Sequence, residues 1–147
     1  MLTITHARIE DLESIVPLFN AYRVFYEQES DLELARHFLS NRLLKEESII
    51  FLAKEDDKPV GFTQLYKTFS SVSAQHSWIL NDLFTLSEFR GRGIGEKILK
   101  RAQKFAVDDD AKGLALETAK DNPAHKLYEK LGWRKDTDYL HYFWKIG

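Results

Sequence analysis

The sequence predicts an α/β (α+β) fold: a mixed central sheet with helices on both faces, in the order β-α-α-β-β-β-α-β-α-β. Three observations carry this. Apolar residues recur at helical spacing in two N-terminal stretches, the middle of the chain is dense in β-branched and aromatic residues, and strand-like and helix-like segments alternate thereafter. The 147 residues contain no repeat, no low-complexity tract and no long linker, so a single domain over residues 1–147 is expected. A chain of that length can bury about 68–70% of its unfolded surface.

The elements follow in order. Leu2 to Ala7 begins with a short β-like run through Leu2, Ile4 and Thr5. Ile9, Leu12, Ile15, Phe19, Tyr22 and Tyr26 then recur at helical spacing, with Pro17 inside the pattern, where a kink or a broken first turn is expected. Leu34, Phe38 and Leu43 mark a second helix over Leu32 to Lys45. "SIIFLAKE", "VGFTQLYKTF" and "HSWILNDLFTL" read as three strands, the first two joined by the turn "DDKP". Ile94, Ile98, Ala102, Phe105 and Ala106 line one face of a helix that fades at "DDDAKG". "LALETA" reads as a buried strand, "NPAHKLYEKLG" as a short helix closed by Gly132, and "DYLHYFWKI" as a final strand.

Composition excludes several classes of function. With 21 Lys+Arg against 23 Asp+Glu the formal net charge is −2, against nucleic-acid binding, which normally shows a basic excess. The absence of cysteine removes disulfides, thiol catalysis and zinc–thiolate sites. His6, His37, His76, His125 and His141 are scattered without H-x-x-x-H spacing, so no metal is expected. No G-x-S-x-G turn supports serine catalysis. Neither a secretion signal nor an apolar run near the ~20 residues of a membrane span is present, and a cytoplasmic protein that does not engage membranes is expected.

The junction "SEFRGRGIGEKIL" concentrates chemistry. Gly91, Gly93 and Gly95 alternate with Arg90, Arg92 and Ile94, after a strand and at the start of a helix. A helix N-terminus presents unpaired N–H groups and about half a positive charge, a ready anion site, which glycine N–H groups extend as a nest. The dinucleotide motif G-x-G-x-x-G fails because Glu96 and Ile98 stand where its last glycine would fall, and no Gly-Lys-Ser/Thr ending makes a Walker loop.

Arg90-Gly-Arg-Gly93-Ile-Gly95 resembles the R/Q-x-x-G-x-G/A signature of the GNAT superfamily, the acetyl-CoA-dependent N-acetyltransferases. "DNPAHKLYEKLGW", Asp121 to Trp133, is similar to that family's N-x-x-A-x-x-L-Y-x-x-x-G-F/W segment, and the two occur in the family's order. "FNAYRVFYEQESD" and "LNDLFTLSEFRGRGIG" also resemble the histone or polyamine acetyltransferase-like subgroup. The resemblance covers nearly the whole chain and implies a mainly antiparallel sheet of about six or seven strands. It implies acetyl-CoA as co-substrate. Its pyrophosphate would lie on the backbone of Arg90, Gly91, Arg92, Gly93, Ile94, Gly95 and Glu96, and its pantetheine arm along Leu83, Phe84 and Thr85. The strand carrying those residues would part from its neighbour, Leu114 to Thr118. The family's usual Asn falls on Asp121, with Asn122 next to it. Before Pro123, Asn122 also reads as a helix N-cap. Lys97, Lys100, Arg101 and Lys104 form a solvated helix face, with one of them a candidate for the 3′-phosphate.

The resemblance implies Tyr128 as the donor to the thiolate leaving group. An alkyl amine with pKa near 10.4 costs about 4.6 kcal/mol to deprotonate at pH 7, so a proton acceptor is needed. Similar polyamine enzymes carry a Glu–Asp pair where this chain has Asn81–Asp82. Asp82, Glu117 and a water chain are the three candidates, and Asn81 and Asp82 are expected on opposite faces of their strand. Tyr22, Tyr26 and Glu27, with Glu29 and Asp31, suit a cation through rings and carboxylates. The expectation is therefore acetylation of a small cationic amine, polyamine or amino-acid-like, in a ternary complex. A protein lysine or N-terminal acetyltransferase and a non-catalytic coenzyme A-binding sensor stand as alternatives, and a homodimer is left open.

Overall fold

The computed structural model describes residues 1–147, which divide into two compact units, Met1–Glu117 and Thr118–Gly147. The first unit is built on one five-stranded sheet in the order β1-β2-β3-β4-β5. Its strands are β1 (Leu2–His6), β2 (Ile49–Glu55), β3 (Lys58–Ser70), β4 (Gln75–Thr85) and β5 (Leu114–Ala115). Neighbours from β1 to β4 run antiparallel, and β5 joins β4 in parallel. Helices α1 (Leu12–Phe25) and α2 (Leu32–Leu44) precede β2, and α3 (Ile94–Asp108) links β4 to β5.

Both faces of the sheet are covered, because the inward residues of alternate parity are apolar on each. Ile15, Phe19, Ala35 and Leu39 of α1 and α2 pack on Ile50, Leu52, Phe62 and Phe84. On the other face Ile94 and Ile98 of α3 pack on Ala53 and Val60, while Phe105 meets the rings of Phe51 and Trp78. Phe51 and Phe62 are wholly buried, each worth about 1.5–3 kcal/mol relative to exposure. Helix α2 starts where the Asp31 carboxylate accepts the Leu34 N–H at 3.0 Å, and Arg36 ties it to α1 through a two-pronged bond to Glu13. α1 runs through Pro17, preceded by a 3-10 turn at Ile9–Asp11, so the entry to the helix is the part that departs from α geometry.

β3 and β4 approach closely at Gly61, where an added Cβ would lie 2.8 Å from the Phe84 carbonyl oxygen and 3.2 Å from the Ile98 side chain. Three residues along, the ladder slips: Gln64 pairs with Asp82 and Leu65 with Leu80, leaving Asn81 as the extra residue of a β-bulge. The bulge reverses the facing of β4. Trp78 packs on Phe105 of α3, yet Phe84, an even number of residues on, packs on Tyr22 of α1.

Four expectations are corrected. The buried strand expected at "LALETA" is a two-residue, partly exposed strand, Leu114–Ala115, paired only with Trp78 and Ile79. "DYLHYFWKI" forms no strand, so the sheet has five strands rather than six or seven, and the element order ends at a helix. That segment was expected to be extended from its aromatic and branched residues alone, and such composition becomes a strand only where a ladder partner exists.

The second unit holds the short helix α4 (His125–Lys130). The N-cap expected at Asn122 is corrected: its Oδ1 accepts the Ala124 N–H at 2.9 Å in a turn ahead of the helix, whose own N-cap is Ala124 with no side chain bonded to it. The helix closes with a Schellman motif: Gly132 at φ +93° donates to Glu129 O, and Trp133 donates to Tyr128 O. The rings of Tyr128 and Trp133 lie 5.9 Å apart, the apolar contact that accompanies this stop.

Candidate acyl-transfer site

The glycine run becomes a tight left-handed turn onto α3. Gly91 and Gly93 take φ of +78° and +77°, and Gly93 is the N-cap, with no side chain capping the helix. The first helical bond is Lys97 N–H to Gly93 O at 3.2 Å, so the N–H groups of Ile94 and Gly95 precede the helical ladder. A Cβ added at Gly91, Gly93 or Gly95 would meet no atom within 4 Å. The turn therefore offers open space lined by backbone donors. The Glu96 carboxylate leans to Lys100 Nζ at 3.4 Å, an ion pair that offsets its charge at this end.

Arg90 and Arg92 do different work from their neighbours. The Arg90 N–H closes a 3-10 turn on Ser87 O, its Nε donates to Thr85 O at 3.0 Å, and its guanidinium lies 5.2 and 5.5 Å from the Phe25 and Phe84 ring centroids. It braces the end of β4 against α1. Arg92 stacks 4.8 Å over Phe89. Leu83, Phe84 and Thr85 pair with β3, opposite Thr63, Phe62 and Gly61. β5 accompanies β4 only at Trp78 and Ile79, so β4 has no ladder partner on that side from Leu80 to Thr85.

The polar residues of β4 meet at the bulge. Asp82 is 1% exposed, and its two carboxylate oxygens accept Gln64 Nε2 and Asn81 Nδ2, each at 2.7 Å. Burial pushes its carboxyl above the ordinary value, opposed by the Asn81 and Gln64 bonds. Asn81 is exposed, and its backbone carbonyl accepts the Tyr22 hydroxyl at 3.2 Å. Strict alternation would hold Asn81 and Asp82 on opposite faces; the bulge corrects that expectation by bringing their side chains into contact. The Tyr22 and Tyr26 rings meet edge-on at 5.0 Å, and Glu27 follows at φ +66°, exposed. Asp31 serves the α2 cap. Glu117 is exposed, two residues beyond β5, and Tyr128 and Asn122 belong to the second unit.

Sequence reasoning passed over Gln64 and Ser48. The Ser48 hydroxyl donates to Gln64 Oε1 at 2.8 Å inside the core, and Gln64 is wholly buried. The available signal was the lone amide within the apolar strand "VGFTQLY".

A mixed sheet whose fourth strand runs into a glycine-lined helix N-terminus, beside an open strand edge, defines a protein that can hold an extended anionic ligand. The chain belongs to the acetyltransferase (GNAT) family, whose model matches residues 12–133, and it is an N-acetyltransferase. It is 46% identical over 142 residues, 96% of its own length and 95% of the relative's, to an uncharacterized N-acetyltransferase of Bacillus subtilis. A crystal structure of a probable acetyltransferase superposes with a TM-score of 0.93 at 38% identity, covering 99% of this chain and 98% of that one. A more distant relative is the thialysine N-epsilon-acetyltransferase of Bos taurus, 34% identical over 74 residues, 50% of this chain and 43% of that protein. No helix of the chain is long and apolar enough to cross a membrane.

Proposed function

We propose that the protein transfers an acetyl group from acetyl-CoA to the primary amine of a small cationic acceptor, polyamine or amino-acid-like, in a ternary complex. The observation that carries this reading is the open, glycine-lined N-terminus of α3 directly after the unpartnered edge of β4. A long ligand with a pyrophosphate at one end and an amide-bearing arm fits both: Gly91, Arg92, Gly93, Ile94, Gly95 and Glu96 for the phosphates, and the backbone of Leu83, Phe84 and Thr85 for the arm. Bound there, acetyl-CoA supplies the activated thioester carbonyl. Arg90 serves this site by holding the β4 end in place.

The amine would dock among Tyr22, Tyr26, Glu27 and Asn81, where rings and a carboxylate suit a cation. The likeness to a thialysine acetyltransferase supports an amino-acid-like acceptor. The nucleophile must lose a proton at a cost of about 4.6 kcal/mol at pH 7. Asp82 is buried with both oxygens engaged, which favours Glu117 or a water as the first proton acceptor. As the tetrahedral intermediate collapses, the amine nitrogen keeps its new bond to the acetyl carbon, and coenzyme A leaves as a thiolate. The Tyr128 hydroxyl gives that thiolate a proton, help worth about 10²–10⁴ in rate. Tyr128→Phe is accordingly expected to lower kcat while the affinity for acetyl-CoA holds; unchanged single-turnover kcat would take Tyr128 out of the mechanism.

The acceptor is tested by thiol release from acetyl-CoA with spermidine, thialysine, lysine and a lysine-bearing peptide. Highest kcat/KM on a small amine supports the reading. A preference for the peptide would make this a protein acetyltransferase, and binding without turnover would make it a coenzyme A-binding module.

A further inference from the structure

The bulge at Asn81 is held from two sides. From α1 the Tyr22 hydroxyl donates to the Asn81 backbone carbonyl, and from the core the Asp82 carboxylate accepts the Asn81 side-chain N–H at 2.7 Å. Behind Asp82 the chain of bonds continues through Gln64 to Ser48, all three buried. The chemistry of these groups leaves little freedom. An ionised carboxylate only accepts hydrogen bonds, so it turns the NH₂ groups of both amides toward itself. Gln64 must then present its oxygen to Ser48, and the Oδ1 of Asn81, which is exposed, is left as that side chain's one acceptor. The bulge lets this happen, since regular alternation would keep the two side chains apart.

We infer that Asp82 is a positioning residue, which locks the Asn81 amide so that its oxygen, and not its NH₂, receives an N–H of the acceptor amine. This rests on the amine-acetyltransferase reading above and adds to it a role for the buried Ser48–Gln64–Asp82 relay. A fixed acceptor aims the nitrogen lone pair of the amine, because the N–H bonded to Asn81 sets the direction of the remaining orbital. It also explains why an amide suffices at position 81: the site asks for an oriented acceptor there, while the proton departs elsewhere.

A base and a positioning group respond differently to the same substitutions. Asp82→Ala removes the lock and is expected to lower kcat/KM for the best amine of the panel about tenfold, the loss of one oriented hydrogen bond, with KM for acetyl-CoA unchanged. Asp82→Asn should restore most of the loss. Its amide oxygen can hold the Asn81 NH₂ once Gln64 turns over and the Ser48 hydroxyl rotates to accept. A general base would not be rescued this way, because an amide takes no proton near neutral pH. Asn81→Ala should match Asp82→Ala, and the double variant should be no worse than either, since both remove one interaction. If Asp82→Ala does not fold, Asp82→Asn carries the test: near wild-type kcat/KM with an unshifted pH profile supports positioning. Asp82→Asn as inactive as Asp82→Ala, or additive losses in the double variant, would overturn the inference alone. A wild-type enzyme that turns over no amine would overturn the function and this inference together.

Discussion

At Gly93 the backbone holds φ at +77°, a region where a β-branched residue is strained by about 1–2 kcal/mol, and the space above its Cα is empty to 4 Å. Gly93→Val would fill the volume the proposed pyrophosphate needs and would turn the N–H groups away from it. The expected outcome is loss of acetyl-CoA binding by calorimetry in a protein that remains folded; wild-type affinity would remove the turn from the site. Asp82 yields a second expectation at this scale. Burial raises its carboxyl, so the folded chain binds that proton more tightly than the unfolded chain does. Its contribution to stability is therefore greatest below the ordinary value near 3.8 and is lost as pH rises through the raised value. Asp82→Asn has no such loss, so its melting temperature relative to wild type should climb as pH rises above that ordinary value. A difference that stays constant with pH would contradict the direction of that shift.

Among the elements, β4 carries most of the site, and its placement depends on Gly61. A methyl group there would press on the Phe84 carbonyl at 2.8 Å, and backbone cannot yield as a flexible side chain can. Gly61→Ala is expected to destabilise the protein by about 1–3 kcal/mol in urea titration; no loss would mean β3 and β4 can part without cost. The glycine turn and the α3 N-terminus could be read from the sequence because their chemistry is local, set by Gly91, Gly93 and Arg92 within a few residues. The same holds for the end of α4, which Gly132 announces. The bulge could not be read, because register between Gln64 and Asp82 is decided by pairing across the sheet. Without it, Asn81 and Asp82 looked like residues of opposite faces and Gln64 like an ordinary strand residue. The strand expected at "DYLHYFWKI" failed for a related reason, since composition names a strand former but not its partner.

For the molecule as a whole, a formal net charge of −2 provides no long-range attraction for an anionic co-substrate, so in the proposed site the local N–H groups and Arg92 would supply it. Acetyl-CoA is then expected to raise the melting temperature with the logarithm of its concentration above its Kd, by linkage, and free phosphate to do so far less. The central claim, that the turn and strand edge serve acetyl transfer to an amine, is tested most directly by following free thiol and acetylated amine together. Wild-type protein, acetyl-CoA and the amine panel should yield the two products in equal amounts, with Gly93→Val yielding neither. Acetyl-CoA bound by the wild type with no thiol released above the rate of its spontaneous hydrolysis, whatever the amine, would contradict it.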